Sequence, residues 1–221
     1  MNYTEERLKN ILLKMLDQFI LICKEYNLKY TLLGGSVLGA VRHGGIIPWD
    51  DDIDIGMPRN DYEKLLSIAD NVFGTKYKLI SAYNDKDYVY PFAKLFDNDT
   101  TLVEFKDFFY LGGIYIDIFP LDGIPKNGNK RIHRIWKIRY AATNLILSKY
   151  SSSYKKQHYF RCLIYKLIFG SFNNALKVCD KYSQKYPYNQ QYNIANYFGA
   201  WKEKEISDYS WFNPLKEYIF E

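Results

Sequence analysis

Histidine and cysteine are scarce in this sequence, with three of each among 221 residues. The cysteines (Cys23, Cys162 and Cys179) are odd in number and far apart. That excludes a disulfide framework and supplies none of the short spacings of a zinc site. Such usage is expected of a reducing compartment. No run of 18 apolar residues occurs, so no membrane-spanning helix is expected. The opening MNYTEERLKN puts acids where a secretory signal carries positive charge, and the expected location is the cytoplasm, with the inner face of the membrane as a variant. No nucleic-acid-binding motif is recognisable, and no such partner is expected.

The net charge of +5 conceals a division. Residues 1–125 hold 13 basic and 19 acidic side chains, and residues 126–181 hold 13 basic ones against a single acid, Asp180. Residues 182–221 are nearly neutral, with four basic and five acidic side chains. The expected organisation is an α+β catalytic core over 1–125 and a helical, basic and aromatic region over 126–221 that completes the same domain.

The most informative stretch is residues 33–58, LGGSVLGAVRHGGIIPWDDDIDIGMP. An apolar strand end (Tyr30, Thr31, Leu32, Leu33) is broken by Gly34 and Gly35, and Ser36 is placed to cap a short helix from Val37 to about Arg42. A glycine turn entering a helix leaves backbone N–H groups free and suits a phosphate, although a plain turn has the same sequence signature. Beyond it, acids and isoleucines alternate. On a strand Asp52 and Asp54 share one face while Ile53 and Ile55 enter the core. Asp is disfavoured inside strands, so the pattern asks for a reason beyond a solvated acidic turn. Neighbouring carboxylates repel, and a divalent cation relieves them; Mg²⁺ takes one or two carboxylates together with substrate phosphates. Asp50 falls on the same parity, and Asp51 is expected to point away. A further acid comes from GGIYIDIFP, where Asp117 stands alone in an apolar run that reads as a buried strand.

Elsewhere, residues 4–26 read as an amphipathic helix, and residues 29–33 as a strand. A second helix is expected from Asn60, with Glu63 at capping-box spacing. Residues 77–80, 92–96 and 101–105 read as strands joined by Asn/Asp turns that extend the acid-bearing sheet. Lys94 lies within one of them. Its ammonium either snorkels to solvent or meets a phosphate. Arg42 and His43 flank the Gly44-Gly45 turn, and are either helix-end and turn residues or substrate contacts. Residues 126–180 read as helices; the segment RCLIYKLIFG suits either a membrane surface or a flap on the core. Among 22 tyrosines, some could form a cage for a quaternary ammonium. The end of the chain, residues 211–221, looks like the start of a strand.

Glycine turn, Asp-x-Asp strand and lone strand Asp together resemble the nucleotidyltransferase superfamily. The wording GGSVLGAVRHGGIIPWDDDIDIGMPRNDYEKL followed by GGIYIDIFPLDG is similar to the LicD family, phosphocholine transferases related to the fukutins, over about residues 33–123. The resemblance implies a mixed β-sheet flanked by helices, and Mg²⁺ or Mn²⁺ as cofactor. It implies a CDP-linked alcohol such as CDP-choline as donor, and as acceptor a hydroxyl of a cell-surface glycan (lipopolysaccharide, teichoic acid or capsule), with release of CMP. Asp52 and Asp54 would hold the ion on the donor diphosphate, with Asp50 an outer ligand. Gly34, Gly35 and Ser36 would cradle phosphate oxygens. Asp117 would complete the metal site or take the acceptor's proton, and Lys94, ahead of an Asp-x-x-Thr turn at Asp97, would meet a phosphate. Proteins of the family usually continue past the position of Glu221 with a further strand. Two other readings stay open: a nucleotidyltransferase acting on a sugar or small alcohol, and a catalytically silent partner protein.

Overall fold

The computed structural model describes residues 5–104 and 110–221. Helix α1 (Glu5–Glu25) buries Leu12, Met15, Phe19 and Ile22 on one stripe, with Glu5 and Glu6 in its first turn and Lys24 in its last, the polarity that suits a helix dipole. Next come β1 (Thr31–Leu32), α2 (Gly34–His43), β2 (Asp54–Pro58), α3 (Arg59–Val72), β3 (Tyr77–Ile80) and β4 (Ala93–Asp97). Strands β5 (Leu102–Glu104) and β6 (Tyr110–Gly112) precede the long β7 (Tyr115–Ile124). Four helices follow: α4 (Asn129–Tyr150), α5 (Ser152–Gln157), α6 (Tyr159–Phe169) and α7 (Phe172–Ser183). Two short strands, β8 (Asn193–Ala195) and β9 (Ile206–Ser207), complete the order of strands.

Strand β7 is the spine. The sheet runs β1-β2-β7-β4-β3; β8 joins along the second half of β7, and β9 pairs with β8. The β2–β7 pair is parallel and the β4–β7 pair antiparallel, so the molecule is α+β with a mixed sheet. One face carries Ile55, Met57, Ala93, Leu95, Ile116 and Ile118, packed against α1 and α3 in the main core. The opposite face is mixed. Phe96 packs there with Leu145 of α4 and Phe172 of α7, and Phe119 with Ile132, Ile135 and Phe198. Between these two apolar patches lie Lys94 and Asp117.

Several local expectations are corrected. The first helical turn after the glycines begins at Gly34 itself, because Gly34 takes φ +51° and turns the chain straight out of β1. Ser36 therefore sits inside the helix and caps nothing. Helix α3 starts at Arg59 behind Pro58 with no side-chain cap, so Asn60 and Glu63 form no capping box. Strand β5 pairs only with β6, in a separate two-stranded sheet, and does not extend the main one. Residues 212–221 form no strand; their tie to the region of the acids is the Glu221 N–H donating to the Gly44 carbonyl at 2.7 Å. Two ends of expected elements, Thr4 and Phe105, lie outside the described residues.

A buried arginine joins the sheet to α7. Arg59 is buried at the start of α3, and its Nε and Nη2 donate to both oxygens of Asp122 on β7 (2.9 and 2.6 Å). Its Nη1 donates to Asp180 of α7 at 2.8 Å, and Nη2 also reaches Ser183 Oγ at 3.0 Å. The Tyr83 hydroxyl and the Gln184 amide donate to the other Asp180 oxygen. Burial alone would lower the Arg59 pKa; the hydrogen bond to Asp122 and the charges of Asp122 and Asp180 overcome this and raise it. Removing one partner of such a cluster leaves uncompensated buried charge. Arg59→Met should lower the unfolding free energy by about 3–5 kcal/mol, read from the urea midpoint at constant m-value. A loss under about 1 kcal/mol would mean the cluster carries no structural weight.

Candidate active site

Strand register builds the centre of the site. Asp54 of β2 is paired with Asp117 of the parallel β7, and Asp117 is paired with Lys94 of β4 on its other side. Three ionisable residues thus stand in one row across three adjacent strands, on the face opposite the main core. Lys94 Nζ lies 2.9 Å from Asp117 Oδ1. At 1% exposure Lys94 cannot snorkel to solvent, which removes one of its two expected positions. Its ammonium instead sits among rings, 3.1 Å from the Tyr115 centroid, 4.5 Å from Tyr90 and 5.8 Å from Phe92.

The segment before β2 adds the remaining acids. Strand β2 begins at Asp54, so Asp52 lies just ahead of it, although the Asp117 N–H still donates to the Ile53 carbonyl at 3.0 Å. Ligand oxygens of Asp50, Asp51 and Asp52 lie within 4.8 Å of one another. The expectation that Asp51 points away is thereby overturned: the chain turns at 47–50, where the Asp50 N–H bonds the Ile47 carbonyl, and parity along an extended strand does not apply. Asp52 and Asp54 are half-buried, and Asp51 is exposed.

The glycine corner faces these carboxylates. A Cβ on Gly34 would lie 3.3 Å from Asp54 Oδ2, and one on Gly35 would lie 2.7 Å from Asp50 Oδ2. The Asp54 N–H donates to Ser36 Oγ at 2.9 Å, and the Leu33 N–H to the Asp54 carbonyl at 2.9 Å, which holds the first turn of α2 against the start of β2. Ser36 thus positions the acidic strand. Arg42 and His43 are exposed in the last turn of α2, a rise of about 12 Å from Gly34. The His43 ring meets Trp49 edge-on, with centroids 6.3 Å apart. The structure brings neither into the row of acids.

Electrostatically the site is overcharged. Burial first, then the charges of Asp52, Asp117, Asp50 and Glu205, push the Asp54 carboxyl from 3.8 to about 7. Asp52 is raised by burial and by Asp50 and Asp51, with Lys94 opposing. Glu205, at the foot of β9, was not foreseen; its own pKa is raised, by burial above all, while Trp201 N–H donates to its Oε1 at 3.1 Å. No periodicity marks it, because folding of β8 and β9 onto β7 brings it near. The donors are all carboxylate oxygens, without histidine or thiol, and this hard set fits Mg²⁺ or Mn²⁺ better than zinc or copper.

A mixed sheet with paired strand acids beside a glycine-led helix is the arrangement that the resemblance to nucleotidyltransferases implies. Residues 27–160, more than half of the chain, match the family described as LicD/FKTN/FKRP, nucleotidyltransferase domain, and the chain belongs to that family. It is 29% identical over 214 residues to the lipopolysaccharide cholinephosphotransferase LicD of Haemophilus influenzae, covering 93% of this chain and 78% of that protein. It is 32% identical over 100 residues to the human ribitol 5-phosphate transferase FKRP, covering 45% of this chain and 18% of that much longer protein.

Two measurements follow from the geometry. A carboxyl whose folded pKa is raised lends most stability below its unfolded value and loses it as pH climbs to the folded one. Chelator-treated protein should therefore lose thermal stability between about pH 4 and 7, and Asp54→Asn, unable to ionise there, should flatten that fall and melt higher at pH 8. A lower melting point for the variant at pH 8 would contradict the assigned repulsion. In Gly35→Ala only the end of the Asp50 side chain must move, so stability should hold within about 0.5 kcal/mol. The Mg²⁺ concentration for half-maximal thermal stabilisation should nevertheless rise several-fold; an unchanged value would place Asp50 outside the ion site.

Proposed function

We propose that this chain is a metal-dependent phosphotransferase that moves a phospho-alcohol from a CDP-linked donor onto a hydroxyl of a cell-surface glycan, releasing CMP. The observation that carries the reading is the in-register row of Asp54, Asp117 and Lys94, with Asp50, Asp51 and Asp52 clustered beside it and Asp50 and Asp54 against the first turn of α2. Phosphoryl transfer asks little of covalent catalysis and much of placement and charge neutralisation. Both named relatives are transferases of phosphorylated alcohols, which supports the same class of reaction here.

Asp50 and Asp52, whose oxygens lie within reach of a common ion, would hold the divalent cation, Mg²⁺ or Mn²⁺, with Asp54 and Asp117 as further carboxylates in the neighbouring strand row. When bound, the ion supplies charge neutralisation on the donor diphosphate and its leaving group. Free N–H groups in the first turn of α2, at Gly34, Gly35 and Ser36, offer hydrogen bonds to diphosphate oxygens. Asp117, held on its far side by Lys94, is the candidate to orient the acceptor hydroxyl and take its proton. Lys94 offsets one of the carboxylates and fixes Asp117 in place. Arg42 and His43, on the exposed end of α2, are left as candidate contacts for outlying parts of a large substrate. The alternative, transfer of the nucleotide itself to a sugar or small alcohol, uses the same centre and differs in which side of the diphosphate is attacked.

Incubation with a panel of CDP-alcohols and Mg²⁺, with glycan acceptors and mass readout of products, tests the reading. Free CMP and a product heavier by one phospho-alcohol are expected; CMP attached to product would favour the nucleotidyltransferase reading. Asp54→Asn should lower turnover about 1,000-fold, about 4 kcal/mol, while the circular dichroism of the fold is kept. Undiminished turnover in that variant would remove Asp54 from the reaction.

A further inference from the structure

The helices of the basic region do not all bury their apolar sides. Helices α4 and α7 pack their apolar residues onto the sheet. Helix α6 buries only Cys162. Phe160 is 79% exposed, Ile164 54%, Leu167 79% and Ile168 64%, and Leu163 is exposed beside them. At 100° per residue these five fall within an arc of about 140°, the spacing of a core-facing stripe turned to solvent. Arg161 and Lys166 flank the arc on its two sides, and Tyr165 and Phe169 lie opposite, half-buried toward α4 and α7.

Charge narrows what can cover this stripe. Between residues 126 and 179 there is no acidic side chain, and Asp180 is turned inward onto Arg59. Beside α6 lies a groove of about 930 Å³ whose rim carries Lys86, Lys149, Lys155 and Lys166 above Leu145 and Leu163; Lys149 is already bonded to Asp87 at 2.7 Å. A second copy docking the same face in a twofold arrangement would set these cations against each other. An apolar stripe edged with Arg and Lys is the form of a helix lying in a lipid–water interface, where anionic headgroups meet the cations and acyl chains the stripe. No helix among the described residues is long and apolar enough to cross a membrane.

We propose that α6 docks the protein on the surface of a bilayer containing anionic lipid, with Phe160, Ile164, Leu167 and Ile168 inserted and the groove lysines at headgroup depth. Docking needs neither donor nor cation and stands apart from the catalytic reading. Its benefit, keeping the enzyme beside a lipid-linked glycan acceptor, rests on that reading.

The test is sedimentation of the full chain with phosphatidylcholine vesicles, with and without phosphatidylglycerol, alongside light scattering of the protein alone. Binding should need the anionic lipid, weaken with added salt, and fall at least about tenfold in the double variant Leu167→Glu, Ile168→Glu. Both positions are exposed, so the variant should melt with the parent and should keep its turnover on a soluble acceptor. Absence of parent binding to phosphatidylglycerol vesicles overturns the proposal, as does equal binding by the variant. A parent dimer that the double variant splits, without vesicle binding, overturns it in favour of self-association. If the variant alone misfolds, charge reversal at Lys155 and Lys166 takes its place, and unaltered vesicle binding then overturns the proposal.

Discussion

The arrangement of this molecule depends on the parallel register of β2 and β7, which sets Asp54 beside Asp117. Side chains on neighbouring strands are about 4.8 Å apart, and two negative charges at that distance repel by about 3 kcal/mol at an effective dielectric of about 20. A one-residue slip of β2 would separate them, but would also drive Ile53, Ile55 and Met57 out of the main core. Loss of several fully buried aliphatic side chains, at about 1.5–3 kcal/mol each, outweighs the repulsion. The hydrophobic face thus holds the carboxylates together against their own charge, and that is what makes the site ready for a cation.

The fold treats buried acids in two ways. Asp122 and Asp180 share one cation, Arg59, and all four of their carboxylate oxygens accept hydrogen bonds, so the result is a fixed joint between sheet and α7. Among the described residues, Lys94 is the cation that lowers the pKa of Asp52, and it is bonded to Asp117. The first cluster is closed and structural. The second leaves negative charge over, and burial first, then that charge, raises its pKa values.

Much of this was legible in the residues. The alternation Asp52-Ile53-Asp54-Ile55 gave the parity of β2, and the isolation of Asp117 among isoleucines gave that of β7, because strand periodicity is local. What was not legible depends on contacts distant along the chain. The departure of Asp51 from strand parity came from a turn at residues 47–50, and Ser36 found the Asp54 amide, 18 residues away, in place of a cap. Arg59 and Glu205 carried no sign of their partners. Asp180, however, had one: a lone acid among the thirteen cations of residues 126–181, set on an amphipathic helix, invites the question of what it faces. In α6 the apolar spacing was readable, but only the packing of its neighbours reveals that the stripe stays uncovered.

On the proposed function, the rings around Lys94 have a bearing on selectivity among alcohols. Tyr115, Tyr90 and Phe92 already turn their electron-rich surfaces to an ammonium supplied by the chain itself, so this wall has no vacancy for a trimethylated one. A choline headgroup and a neutral polyol would encounter the same lining there. Under that proposal, preference for one over the other would be written elsewhere on the protein, and this aromatic wall could stay unchanged while the cargo varies.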